Sequence, residues 1–179
     1  MDEKLKNLME LARGTGFEEV CPVNMDALIP LESVREMCSS GTCKVYGTSW
    51  SCPPALPDLE HSEKLFAARN CGVLVQTVAK MKDELDHEAL KKAMEDHKRR
   101  FDTLVRQLKV LDIDFLPLGA GTCSICYKCT YPDKPCRYPD KMYSSMEAYG
   151  LMVNDVCTAS GMKYNYGPCT MSFTCGILL

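Results

Sequence analysis

The run CGVLVQTVA, Cys71–Ala79, is almost wholly apolar and β-branched. That composition suits a central strand buried on both faces rather than one with a wet side. Upstream, Asp58–Arg69 reads as a helix, with Asp58 as N-cap after Pro57 and Leu59, Leu65, Phe66 and Ala67 turned inward. Downstream comes the longest helix, about Glu84 to Val110, on which Leu90, Met94, His97, Phe101, Leu104, Leu108 and Leu111 recur in alternating steps of four and three. So narrow an apolar stripe suits burial on a sheet or pairing across a homodimer. His97 lies within it and reads as a packed, hydrogen-bonded residue rather than a ligand. The opposite face carries Lys91, Lys92, Lys98, Arg99, Arg100, Arg106 and Lys109, interspersed with Glu88, Glu95, Asp96 and Asp102. This is the pattern of a solvated face, with docking of an acidic redox partner as the functional alternative.

Further out, Asp2–Arg13 is an amphipathic helix stopped by Gly14 and Gly16, Phe17–Ile29 reads as a strand, and Leu31–Met37 as a short helix. Asp114–Leu118 is a short strand. Ser144 or Ser145 begins a helix to about Ala159, with Ser144 and Glu147 as a capping box and Gly161 as its stop. Tyr164–Tyr166 and Thr170–Leu178 read as a hairpin about Gly167-Pro168. Strands alternating with helices predict one α/β domain over 1–179, a sandwich of a mixed sheet with helices. Its cysteine-rich loops, 38–57 and 119–143, gather at one end.

With 179 residues, 46% hydrophobic and 25% charged, the chain is long enough for one core and short for two. A net charge of -3 argues against a nucleic-acid binder, which needs a cationic surplus. The charged start, MDEKLKNLMELARG, has no signal-peptide pattern, and nothing approaches the ~18 apolar residues of a membrane span. A cytoplasmic location is therefore expected, with no membrane partner. In that compartment twelve cysteines point to metal rather than to disulfides.

Four of them, Cys123, Cys126, Cys129 and Cys136, follow C-x2-C-x2-C-x6-C spacing. Bacterial ferredoxins open with the same C-x2-C-x2-C run, each turn delivering one thiolate to one iron. The triplet is the strong signal and Cys136 the weaker one. A second loop, CSSGTCKVYGTSWSCPPALP, carries Cys38, Cys43 and Cys52, with Tyr46 and Trp50 between the last two. Those aromatics either shield a centre from water or, for Trp50, pack on the core. No fourth ligand for this set is evident; Cys21 and Cys71 are candidates, although isolated cysteines are more often buried hydrophobes. Cys157, Cys169 and Cys175 are not assigned as ligands, Cys169 being the nearest to an exception. Lys128, Lys134, Arg137 and Lys141 would favour the reduced form of an anionic centre beside them, or are plain surface charges.

The blocks CKVYGTSWSCPP (43–54), GTCSICYKCTYPDKPCRYPDK (121–141) and SMEAYGLMV (145–153) resemble those of an uncharacterised family of predicted metal-binding, cysteine-rich proteins of anaerobic bacteria and archaea. The resemblance implies that Cys38, Cys43 and Cys52, with Cys123, Cys126, Cys129 and Cys136, form the metal-binding set. It carries no established reaction.

Three functions stand open. The first is an iron–sulfur electron carrier or redox subunit, working with a redox partner protein and holding one [4Fe-4S] cluster on Cys123, Cys126, Cys129 and Cys136, with a second on Cys38, Cys43 and Cys52. The second is an enzyme, in which a three-cysteine cluster leaves an iron open to a small-molecule substrate or sulfur. The third is a structural zinc protein, although zinc sites usually pair two separated C-x2-C knuckles. No nucleotide-binding fingerprint is present, and His61, His87 and His97 all fall on expected helices, so nucleophile–histidine chemistry is not supported.

Overall fold

The computed structural model describes residues 3–179. Its centre is a four-stranded sheet in the order β1-β2-β4-β3, formed by β1 (Glu19–Pro22), β2 (Gly72–Lys80), β3 (Leu116–Leu118) and β4 (Thr170–Leu178). β2 pairs with β4 along its whole length, from Gly72 opposite Leu178 to Lys80 opposite Thr170. The expected central strand is therefore central. The α/β class holds. Among the described residues all strand pairings are antiparallel where a mixed sheet is expected, and the single parallel feature is the bridge between Gly119 and Ser145.

Because alternate residues of a strand face opposite ways, β2 and β4 supply two cores at once. Val73, Val75, Cys175 and Ile177 point to a layer made by α1 (Glu3–Gly14) and α4 (His87–Val110). Leu74 and Leu178 point to the other layer, built from Phe66 of α3 (Leu59–Ala67), Val156 and Cys157 of α5 (Val153–Ala159), Met146 and Leu151. The α4 stripe is used on the chain's own sheet: His97, Phe101, Leu104 and Leu108 are buried, while Met94 and Leu111 at its ends are exposed.

Caps and turns set the boundaries. Asp58 accepts from the His61 N–H at the start of α3, as expected. α4 begins at His87 rather than Glu84, because Asp86 accepts from the Ala89 N–H and so caps it. The strand expected over Phe17–Ile29 is confined to Glu19–Pro22 and followed by a 3₁₀ turn at Met25–Ala27, where the Asn24 side chain accepts from the Asp26 N–H. The helix expected from Ser144 to Ala159 is interrupted. Residues Glu147–Tyr149 make one 3₁₀ turn, Gly150 takes φ 87°, and its carbonyl accepts from the Leu31 N–H at 2.8 Å before α5 starts. Ser145, not Ser144, caps that turn, accepting from the Ala148 N–H at 3.1 Å. The tail is not a hairpin: Tyr164–Tyr166 is irregular, its Tyr164 carbonyl accepting from the Ser172 hydroxyl and its Tyr166 hydroxyl donating to Gln76. Asp2 lies outside the described residues.

Candidate metal centre

The loop that follows β3 is tied at its base. The Gly119 N–H donates to the Ser144 carbonyl at 2.7 Å, and the Met146 N–H donates to the Gly119 carbonyl at 3.1 Å. A side chain at 119 would collide with the Tyr143 ring, at 2.7 Å from its nearest carbon, so glycine lets the two ends of the loop close. Between those ends Cys123, Cys126, Cys129 and Cys136 all line one cavity of about 180 Å³. The six-residue gap before Cys136 is folded into a turn: the Lys134 N–H donates to the Thr130 carbonyl, the Thr130 hydroxyl to the Pro135 carbonyl, and Arg137 to the Lys128 carbonyl. That turn returns Cys136 to the other three.

The second cysteine loop forms the wall of this cavity. Trp50 lines it, donates its indole N–H to the Lys134 carbonyl at 3.1 Å, and meets Tyr131 edge-on with ring centres 4.9 Å apart. Trp50 therefore packs on the cysteine loop and not in either core, while Tyr46 is exposed and does not line the cavity. Beneath it two buried serines stitch the loops together. The Ser51 hydroxyl accepts from the Cys123 N–H at 3.0 Å and lies 3.0 Å from Ser49 and 3.4 Å from the Thr122 hydroxyl. Cys52 donates to the Thr122 hydroxyl at 3.1 Å.

The thiols differ in how readily they ionise. Burial raises Cys129, but the N–H groups of Tyr131, Trp50 and Thr130 and the Ser49 hydroxyl together bring it below the ordinary thiol range. Donors aimed at sulfur favour the thiolate, the form that binds metal. Burial raises Cys123, opposed by the Ile125 N–H and the nearby Lys98 ammonium.

Of the second set, Cys38 and Cys43 come together, whereas Cys52 lines neither cavity and its thiol is held by Thr122. Cys38 is not in the loop but in the last turn of α2 (Glu32–Ser39). The helix extends past Met37 because hydroxyls satisfy its closing carbonyls: Ser39 donates to Glu36, and Ser40 and Thr42 both donate to Met37. Gly41, at φ 87°, then turns the chain back and returns Cys43 beside Cys38. Both thiols line a second, mostly apolar cavity of about 320 Å³, together with Glu147, Asn154 and Tyr164. Burial raises Cys38, as do the charges of Cys43, Cys52 and Glu147, while Arg35 opposes them. Arg35 Nε is buried with no hydrogen-bond partner, although Nη2 reaches the Pro57 carbonyl at 2.9 Å.

The remaining cysteines lie elsewhere. Cys21, on β1, is pushed up to about 11 by burial, then by Cys157 and Glu19, and lines neither cavity. Cys71 precedes β2, its backbone paired with Leu179. Cys169 accepts from the Met81 N–H through its carbonyl, at φ 55°. Cys157 and Cys175 are core residues. None of the twelve is paired in a disulfide. Cys175 Sγ lies 3.0 Å from His97 Nε2, whose Nδ1 is 3.1 Å from the Thr77 hydroxyl, so His97 is the hydrogen-bonded core histidine expected of it. Sequence reasoning missed Glu147, taken as a cap, and Ser49, Ser51, Thr122 and Arg35. The S-W-S pattern beside Cys52 was the available signal for the serines.

A family described as "Predicted metal-binding protein (DUF2284)" matches residues 21–179. The chain belongs to that family. Searches of the curated proteins and of the solved structures returned no match. Membership supports metal binding as the general function of this DUF2284 protein and leaves the metal and the reaction open. No helix among the described residues is long and apolar enough to cross a membrane.

Proposed function

We propose that this is an iron–sulfur redox protein holding a [4Fe-4S] cluster on Cys123, Cys126, Cys129 and Cys136 and a second on Cys38, Cys43 and Cys52. The observation that carries this reading is the arrangement of the first four thiols around a space rather than at a point. A single water needs only ~10–15 Å³ of such space, and the 180 Å³ among these cysteines is many times that. The C-x2-C-x2-C spacing, in which each turn delivers one thiolate to one iron, suits a polynuclear centre better than one zinc, whose sites usually pair two separated knuckles. The buried, unpartnered Nε of Arg35 near Cys38 suits an anionic group there as well. When bound, the clusters would supply one-electron chemistry; the chain's own groups hold the thiolates, aim N–H donors at Cys129 and exclude water through Trp50. A redox partner protein would exchange the electrons. The test is iron and acid-labile sulfide analysis of anaerobically purified protein, with Cys126→Ser expected to lose one cluster. Colourless protein with stoichiometric zinc, or unchanged iron in the variant, would overturn the reading.

The second cavity favours an enzymatic alternative, because it puts a largely apolar space beside Cys38 and Cys43 that a small-molecule substrate would fit. Reduced protein titrated with small thiols would then show a substrate-dependent change in its electron paramagnetic resonance spectrum, and a pure carrier would show none.

A further inference from the structure

We infer that Lys98, on α4, is the fixed charge that sets the potential of the centre held by Cys123, Cys126, Cys129 and Cys136, with Asp102 and Tyr143 positioning its ammonium at the base of the cysteine loop. The inference rests on the first cluster of the reading above. α4 runs beneath that loop and meets both of its ends. At the entry, Cys175 Sγ lies 3.0 Å from His97 Nε2 and accepts from the Ala120 N–H. At the exit, Lys109 donates to the Asp140 carbonyl, and the Tyr143 hydroxyl donates to Asp102 at 2.6 Å. The Tyr143 ring packs edge-on against Phe101, with ring centres 5.3 Å apart, and also lies against Gly119, where the loop begins.

Lys98 Nζ donates to the other Asp102 oxygen at 3.0 Å and stands 5.9 Å from the centre of the Tyr143 ring. An exposed lysine spreads its charge over many rotamers and is screened by salt. Lys98 is instead half-buried, and the carboxylate that tethers it is itself held by Tyr143. Of the pair, it is the ammonium that bears on Cys123, where it opposes the effect of burial. The cations of the loop itself, Lys128, Lys134, Arg137 and Lys141, are all exposed. Reduction adds a negative charge to a thiolate-bound centre that is already anionic, so a fixed cation nearby stabilises the reduced form more than the oxidised one. The charge with most effect on this centre therefore comes from α4 and not from the loop that binds it.

The experiment uses the full chain, purified and reconstituted anaerobically, as wild type, Lys98→Met, Lys98→Arg and Lys128→Met. Each is titrated with dithionite in the presence of mediator dyes and followed by electron paramagnetic resonance; the signal that disappears in Cys126→Ser identifies the first centre. At the potential that half-reduces this centre in wild type, its reduced-to-oxidised ratio should fall about tenfold in Lys98→Met. The ratio should be unchanged in Lys98→Arg, which keeps the charge, and should fall less in Lys128→Met, which removes an exposed one. Iron and sulfide should match wild type in every variant. An unchanged ratio in Lys98→Met, an equal fall in Lys98→Arg or Lys128→Met, or a Lys98→Met protein without iron would overturn the role of Lys98 alone. Wild type without iron and sulfide would remove the cluster, and this inference with it.

Discussion

Ser51 joins the two cysteine loops through one buried hydroxyl, which accepts from the Cys123 N–H and contacts Ser49 and Thr122. Ser51→Ala leaves that part-buried N–H without its acceptor, at a cost of about 1 kcal/mol. Urea denaturation of the metal-free protein should show it as a lower midpoint with unchanged slope. His97 offers a second test. Burial, then the Arg100 charge, lowers it from 6.5 to about 4, while Thr77 and Cys175 hold the neutral ring between them. Below pH 6.5 the unfolded chain takes up a proton that the folded one refuses until about pH 4. Stability from this group is therefore complete above pH 6.5, falls as pH drops through that window, and levels off below it, losing about 3 kcal/mol in all. In His97→Gln the difference between urea midpoints at pH 7 and pH 4.5 should shrink; an unchanged difference would mean that His97 is not the group responsible.

At the scale of elements, Gly150 decides where α2 and the Glu147 turn stand. A side chain there faces a φ of 87°, a Leu59 methyl at 2.8 Å and the Leu31 nitrogen at 3.2 Å. Gly150→Ala should therefore destabilise the fold by about 1–3 kcal/mol, read as a lower Tm in calorimetry. The indole of Trp50 forms a wall of the first cavity and holds its loop through Lys134. Trp50→Ala should make the visible absorbance of the reconstituted protein bleach several-fold faster in air, with little effect on anaerobic iron content. If bleaching is as slow as in wild type, that wall does not protect the site.

For the molecule as a whole, the proposed redox partner would dock at the tip of the first cysteine loop. Tyr127 is fully exposed and Ile125 partly so at the tip of its loop. The loop carries Lys128, Lys134, Arg137 and Lys141 against Asp133 and Asp140, a local basic surplus on a chain of net charge -3. Electron exchange with an acidic carrier protein should accordingly slow as salt rises from 50 to 300 mM, by roughly an order of magnitude for a steered encounter. Stopped-flow rates independent of salt would show that the basic tip does not guide docking.

The local physics of the chain was legible without the fold. The apolar run at 71–79 marked the central strand, because a strand buried on both faces admits almost no polar residues. Asp58 marked the start of α3, since its carboxylate meets the free N–H groups whatever lies beyond. The spacings of Cys123, Cys126, Cys129 and Cys136 and of Cys38, Cys43 and Cys52 marked two groups of thiols; the first four line one cavity, and of the second set only Cys38 and Cys43 share a wall. Long-range contacts decided the rest. The helix expected from Ser144 broke at Gly150 because the Leu31 N–H, far away in sequence, takes the Gly150 carbonyl. Glu147 read as a cap from its spacing to Ser144, and only the packing of α2 against its turn brought it to the wall that Cys38 and Cys43 share. Spacing along a chain determines what one loop can gather. Which loop faces which carboxylate depends on how the elements pack, and here the sheet and its two helical layers decided it.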